Sequence, residues 1–158
     1  MMYPPTSSSR QRGVALVETA ITLPFLLFVM LAASEFTFAF VQHTTLTKAV
    51  RDGVRYAAEE AIDGTLTLNL TAAIQNDTRR LVVYGTTADA DPDAPATPAA
   101  VGLTVDDVTV TDIGNNIIEV SLTYPYTGIL GTVLPTFGYG QNISTLFNMN
   151  ATVAMRAL

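Results

Sequence analysis

The chain has 158 residues, a formal net charge of −6, no cysteine and one histidine. Without cysteine it can form no disulfide and offers no thiolate for catalysis or metal binding. No basic block or arginine–aromatic pattern is present, so we expect no nucleic-acid partner. We find no nucleophile–base pair, phosphate loop or metal-ligand spacing. The sequence therefore predicts neither an enzyme nor a protein that binds a metal, a cofactor or a small-molecule substrate.

A polar leader, residues 1–13, precedes a long apolar run. The leader contains prolines, serines and two arginines but no acid, so we expect it to be disordered. The sixteen residues between Glu18 and Glu35 carry no charge. Extension of this run to Val41 reaches the roughly 20 residues that a membrane-spanning helix needs. The pattern predicts a transmembrane helix over residues 14–41.

Two interpretations of this run compete. One is a secretory signal cleaved near Ala32 and Ala33, and the other is a retained transmembrane helix. Glu18 argues for retention, because the apolar region of a signal peptide is normally charge-free. The length of the run also argues for retention, because that region is only about 7–15 residues long. The positive-inside rule places the leader in the cytoplasm through Arg10 and Arg12. Three basic residues that follow the run oppose this orientation: Lys48, Arg51 and Arg55.

Glu18 lies early in the apolar run and has two interpretations of its own. A carboxylate near a helix N-terminus is tolerated, because the helix dipole favours an anion there. A functional role instead requires a cation that compensates the charge in the membrane. Pro24 should kink the helix and free a carbonyl. Glu35 lies near the outer end of the span, either at the headgroups or paired with a partner subunit.

Residues 42–63 continue the helix with an amphipathic stripe. Small and apolar side chains recur at helical spacing, and charged residues occupy the other faces. The stripe should pack against the chain's own tail or, alternatively, against a partner subunit. Asp63 and Gly64 form a natural stop. The stripe consists of Leu46, Ala49, Val50, Gly53, Val54, Ala57 and Ala61.

The tail divides into three predicted segments. Residues 64–85 contain a short amphipathic helix, and residues 86–100 form a proline- and alanine-rich linker. Asp89, Asp91 and Asp93 in the linker lack the glycine and glutamate of a calcium loop, so we interpret them as solvated. Residues 101–158 alternate as antiparallel strands.

Within this last segment, one strand pattern ends at the turn Gly114 to Asn116, with an irregularity at Asp106 and Asp107. Its partner strand should close at Pro125, and a third strand should run from Ile143 to Arg156. The segment between them, residues 127–140, is glycine-containing and apolar, with room for a short helix. Its apolar side chains either plug the core or form a contact patch. The predicted class is α+β, with a long N-terminal transmembrane and amphipathic helix packed against a small C-terminal antiparallel sheet.

The region around Gly13 resembles a type IV prepilin junction, and its particular form is similar to TadE-like minor pseudopilins of tight-adherence (Flp, type IVc) pilus systems. The likeness covers about 45 residues and rests on the segments RGVALVETAITLPFLL, SEFTFAF and TLTKAVRDGVRYAA. In the first segments it is carried by Arg12, Gly13, Ala15, Leu16, Val17, Glu18, Leu23, Pro24, Glu35 and Phe36. In the third it is carried by Ala49, Arg51, Asp52, Gly53, Arg55, Tyr56 and Ala57.

The resemblance implies cleavage after Gly13 by a prepilin peptidase that recognises Arg12, Gly13 and Val14. It implies that Glu18 then pairs with the new N-terminal amine during assembly, in the same or a neighbouring subunit. Val14 replaces the Phe or Met common in major pilins, which puts methylation of the new terminus in doubt. Pro24 and Glu35 are candidate partner contacts.

On this interpretation the protein is a minor pseudopilin in the inner membrane. Its N-terminus is cytoplasmic, its C-terminal domain is periplasmic, and its incorporation into an extracellular pilus stays open. Its expected partners are the prepilin peptidase, other pseudopilins, the pilus assembly platform and the membrane. Two alternatives are an uncleaved single-pass protein and a secreted domain, each binding an envelope partner.

Overall fold

The computed structural model of the protein describes residues 8–62, 67–87 and 96–157, with side chains from residue 13 onward. A long apolar N-terminal helix and a C-terminal antiparallel sheet confirm the α+β class. The two helices are α1, Ser8–Glu60, and α2, Ala72–Tyr84. The strands are β1, Val108–Gly114; β2, Ile117–Tyr126; β3, Val133–Leu134; β4, Ile143–Ser144; and β5, Phe147–Arg156.

The chain forms two compact units. The first, which we call the loop–helix unit, contains α1 up to Phe38 and the segment Thr127–Leu146, which we call the apolar loop. The second, the core unit, contains Ala39–Tyr126 and Phe147–Leu158. Each is described by itself.

In the core unit, the C-terminal part of α1 buries the predicted stripe. Leu46, Val50, Val54 and Ala57 are at most 1% exposed and belong to one hydrophobic cluster with residues of α2 and the sheet. Of the two environments predicted for this face, the chain's own tail therefore occupies it. On the opposite face Arg55 Nε donates a hydrogen bond to Glu59 Oε1 at 2.9 Å, which raises the pKa of the guanidinium. Both side chains are exposed, so this pair stabilises the helix only weakly.

Gly53 lets α1 approach α2 closely. A Cβ atom built on Gly53 would overlap Val82 Cγ2 and lie 3.5 Å from Thr78 Cγ2. Thr71 caps the N-terminus of α2, with its hydroxyl accepting the N–H of Ile74, and Gly85 caps the C-terminus in the left-handed conformation. The short helix predicted within residues 64–85 is thus present.

The main sheet has the strand order β1-β2-β5, with both pairs antiparallel. Alternate residues of β2 from Ile118 to Tyr126 are buried, as the period-2 pattern predicts. The turn between β1 and β2 uses Asn115 and Asn116, both with positive φ, which suits a tight hairpin of this hand. At the predicted irregularity, Val105–Asp107 forms one 3₁₀ turn, and Asp107 Oδ2 accepts the N–H of Thr104 at 2.8 Å.

The prediction that β2 closes at Pro125 is wrong, because the strand continues to Tyr126 and Pro125 pairs with Asn148. The reason is local. Strand β1 pairs with β2 only as far as Leu122, so Pro125 has a neighbouring strand on one side only. A missing backbone N–H is tolerated on such an open side.

The single third strand predicted from Ile143 to Arg156 is also wrong, since it is divided into β4 and β5. Strand β5 pairs with β2 only from Phe147 onward, because β2 ends at Tyr126. The residues before Phe147 therefore have no partner in that sheet, and β4 pairs instead with β3 in the apolar loop. No short helix forms in that loop.

The ends of α1 differ from the expected ones. The helix begins at Ser8, so the later part of the leader is helical rather than disordered. It ends at Glu60, three residues before the predicted boundary. The expected stop at Asp63 and Gly64 lies outside the described residues, as do residues 1–7 and Asp89, Asp91 and Asp93 of the linker.

Candidate processing and assembly site

The predicted cleavage junction lies within α1. Val14 is 69% exposed, and a Cβ atom built on Gly13 would meet nothing within 4 Å. The side chain of Arg12 lies outside the described residues, although its backbone belongs to the helix. The two residues on either side of the predicted scissile bond are therefore uncovered by the rest of the described chain.

Glu18 lies one helical turn after Val14. Its side chain is exposed, and its carbonyl accepts the hydroxyl of Thr22 at 2.8 Å. Residues four apart on a helix share a face and are separated by about 6 Å along the axis. Helical side chains also lean toward the N-terminus, so the carboxylate of Glu18 is directed toward the turn that contains Val14.

Pro24 interrupts the hydrogen bonding of α1 in the apolar run. It has no N–H to donate to the carbonyl of Ala20. The next carbonyl, that of Ile21, accepts the hydroxyl of Tyr139 from the apolar loop at 2.5 Å. The ring of Tyr139 also meets Phe25 edge-on, with centroids 6.3 Å apart. A hydroxyl of the chain itself thus donates a hydrogen bond to α1 one residue from the carbonyl that the proline frees.

Glu35 is buried, although the residues directly beside it in α1, 33–34 and 36–38, are exposed. Its side chain is 7% exposed, and Oε1 accepts the N–H of Ile129 at 3.1 Å. A Cβ atom on Gly128 would overlap this carboxylate, so the glycine allows the loop backbone to approach it. The contact lies within this chain, and the predicted role of Glu35 toward a partner subunit stays a prediction.

The structure does not bring Glu18 and Glu35 together. They are separated by 17 residues of one helix, which corresponds to about 25 Å. They form two separate sites: an exposed acid beside the cleavage junction and a covered acid beside the apolar loop. Within the parts of the chain that the structure describes, no group of three or more His, Cys, Asp or Glu could hold a metal ion.

Sequence reasoning missed the residues that cover α1. Gly128, Ile129 and Tyr139 are more than 90 positions from the helix residues that they contact, and no local pattern links them. One signal was available: from Val120 to Met155 the chain carries no charged residue. Charged residues are mostly exposed in folded domains, so a long stretch without them indicates a second apolar surface.

Helix α1 is the one described helix that is long and apolar enough to cross a membrane. Its most apolar 18-residue window has a mean hydropathy of 2.3 and is not buried within the chain. A core helix would bury such a window, so this helix is consistent with a single-pass membrane protein.

The comparison with known families identifies the N-terminal region more closely. The family model described as TadE-like protein matches residues 13–55. The matched region contains Gly13, Glu18, Pro24 and Glu35, and it confirms the resemblance to TadE-like proteins over this part of the chain. No curated protein and no solved structure matches the chain.

Proposed function

We propose that the chain is a minor pseudopilin that functions in assembly of tight-adherence (Flp, type IVc) pili and is matured by prepilin peptidase cleavage after Gly13. The observation that carries the proposal is the position of the family match. It starts at Gly13, beside the proposed scissile bond, and extends through the apolar run into the amphipathic part of α1. The TadE-like family is not known as enzymatic, and we assign the chain no reaction.

The exposure of α1 supports a membrane location. Large apolar side chains such as Leu16, Met30 and Phe36 are each more than 70% exposed. In water this surface would be strongly unfavourable, at about 25 cal/mol per Å² of apolar area. A bilayer or the helices of other pseudopilins would cover it. We place the N-terminus in the cytoplasm and the core unit in the periplasm, with the peptidase, other pseudopilins and the assembly platform as partners.

Glu18 is the proposed assembly residue. Cleavage after Gly13 would make Val14 the first residue, and its amine would be protonated at neutral pH because its ordinary pKa is near 8. An isolated carboxylate in an apolar environment is costly, whereas attraction to a cation is strongest where the dielectric is low. The amine would lie one turn from Glu18 in the same subunit, or reach Glu18 of a neighbour. Pro24 is a further candidate contact with partner helices.

The first test is the intact mass and N-terminal sequence of the protein from native membranes. We expect a chain that starts at Val14. A start near Ser34 would identify a secreted domain, and a start at Met1 or Met2 would identify an uncleaved membrane protein. Either of these two outcomes would overturn the proposed processing.

The second test separates assembly from processing. We expect Glu18→Gln to be cleaved normally but to lose co-purification with the other pilus subunits. Glu60→Gln is the matched control, because it removes one exposed acid from the same helix outside the apolar run. Normal assembly of Glu18→Gln, or an equal defect in both variants, would contradict the role of Glu18.

A further inference from the structure

In the loop–helix unit a few polar side chains are buried while many large apolar side chains are exposed, beside exposed polar ones such as Thr132, Gln141 and Asn142. Among its described residues, the buried polar side chains are those of Glu35, Thr136 and Thr145, and Leu134 is the buried large apolar one. Seven apolar or aromatic residues of the apolar loop are 42–59% exposed: Ile129, Leu130, Val133, Phe137, Tyr139, Ile143 and Leu146. Seven large apolar side chains exposed within one loop form a surface that water disfavours.

The two buried threonines of the apolar loop are hydrogen-bonded within the loop. Thr136 donates its hydroxyl to the carbonyl of Gly140 at 2.8 Å, and its N–H to Asn142 Oδ1 at 3.3 Å. Thr145 donates its hydroxyl to the carbonyl of Gly131 at 2.7 Å. Its N–H donates to the carbonyl of Thr132 at 3.0 Å. Pairing of β3 with β4 adds a short ladder. These bonds pair the hydroxyl and N–H groups of both threonines, and an unpaired polar group in a low-dielectric surrounding would cost several kcal/mol.

The apolar loop lies along the apolar run of α1. At one end Ile129 contacts Glu35, and at the other Tyr139 contacts Phe25 and the carbonyl of Ile21. Ile21 and Glu35 are 14 residues apart, which is about 21 Å of helix. Any environment that surrounds this part of α1 therefore also surrounds the loop.

We propose that the apolar loop inserts into the lipid bilayer beside α1, with its exposed apolar side chains facing the acyl chains and the headgroup boundary. The proposal rests on the membrane span assigned under the proposed function. We assign lipid to the exposed surface of the loop because that surface and the exposed apolar surface of α1 belong to one unit. The α1 surface includes Met30, Phe36 and Phe38. The loop carries no charge that insertion would have to desolvate.

Insertion also gives the buried acid a role. Glu35 interrupts the apolar surface of α1, and a carboxylate facing lipid is costly. The loop backbone covers it and donates the N–H of Ile129 to it. Because the loop backbone covers Glu35, the membrane span can continue past this acid toward Val41.

The test uses the absence of tryptophan from the chain. Single-tryptophan variants of the full chain are reconstituted in phosphatidylcholine vesicles whose acyl chains carry bromine, which quenches indole emission on contact. Phe137→Trp and Leu146→Trp report on the apolar loop, Met30→Trp reports on the span, and Tyr84→Trp reports on α2 of the core unit. We expect both loop variants to lose emission to an extent comparable with Met30→Trp, and Tyr84→Trp to be little affected.

The outcomes separate the two proposals. If both loop variants behave like Tyr84→Trp while Met30→Trp is quenched, the span stands and loop insertion is wrong. The loop would then be a surface for a protein partner, which the purified chain in vesicles lacks. If Met30→Trp is not quenched, the membrane span itself is wrong and loop insertion falls with it. Two loop positions are used so that a local defect in one variant does not decide the result.

Discussion

The two units of this protein differ in which side chains they bury. The core unit removes apolar side chains from solvent, with Val50, Val82 and Val120 all at 0% exposure. The loop–helix unit instead buries Glu35, Thr136 and Thr145 and exposes large apolar side chains such as Ile129 and Phe137. The difference teaches that a large apolar side chain is buried in one unit and exposed in the other, so its contribution to stability depends on the unit that contains it. Substitutions of the same kind should therefore have unequal effects in the two units.

The largest expected contrast is between two leucines. Leu122 is 1% exposed at the centre of β2, and Leu130 is 43% exposed in the apolar loop. Leu122→Ala should destabilise the core unit by about 2–5 kcal/mol, through lost burial and a cavity. Leu130→Ala should change the free energy of unfolding of the core unit by less than about 1 kcal/mol. Denaturant unfolding followed by circular dichroism measures both values, and equal losses would break the comparison.

A second contrast uses two glycines of α1 in the uncleaved protein. Gly53→Ala would push a methyl group against the stiff, buried side chain of Val82, and overpacking of this kind typically costs about 1–3 kcal/mol. Gly13→Ala meets open space and should gain helix stability by up to about 1 kcal/mol. The same unfolding experiment applies. If Gly53→Ala also gained stability, α1 and α2 would not be in the close contact described.

A third prediction sharpens the comparison from the side of the loop–helix unit. Glu35→Ala removes the acceptor of the Ile129 N–H, and leaving a covered donor without its partner costs about 1–3 kcal/mol. Hydrogen exchange of the apolar loop in lipid should speed up, whereas exchange in β1 and β2 should stay unchanged.

Glu35→Gln is the matched control for this experiment, because its amide oxygen can still accept the Ile129 N–H, and it should retain more of the protection. Faster exchange in both units would show that the acid stabilises the whole chain. No change in the loop would show that the hydrogen bond is dispensable.

The smallest expected effect is a pH dependence in the core unit. Burial, with the nearby charges of Asp77 and Glu60, raises the pKa of Tyr56 above its ordinary value of 10.0. The folded state then keeps a proton that the unfolded state releases first, so this contribution is fully present below pH 10 and is lost as the pH rises through the folded pKa. Tyr56→Phe should flatten the alkaline decline in the midpoint of thermal unfolding. If the decline is unchanged in Tyr56→Phe, groups other than Tyr56 cause it.

Local patterns predicted most of the core unit. The helical stripe from Leu46 to Ala61 and the alternation along β2 are short-range periodicities, and the side chains that they select are the buried ones. The errors arose where a strand's extent depends on its neighbours. Pro125 is accommodated because β1 stops pairing at Leu122, and the break before Phe147 follows from the end of β2. Such limits are properties of the sheet rather than of either strand.

The sequence by itself determined the apolar run, the position of Glu18 within it and the match to TadE-like proteins from Gly13 onward, because each is carried by residues adjacent in the chain. The tertiary structure alone decided that Glu35 is covered and that Tyr139 reaches the helix near Pro24. These contacts join positions 94 and 118 residues apart. Composition can show that a loop is apolar, but only the folded chain decides which surface that loop lies against.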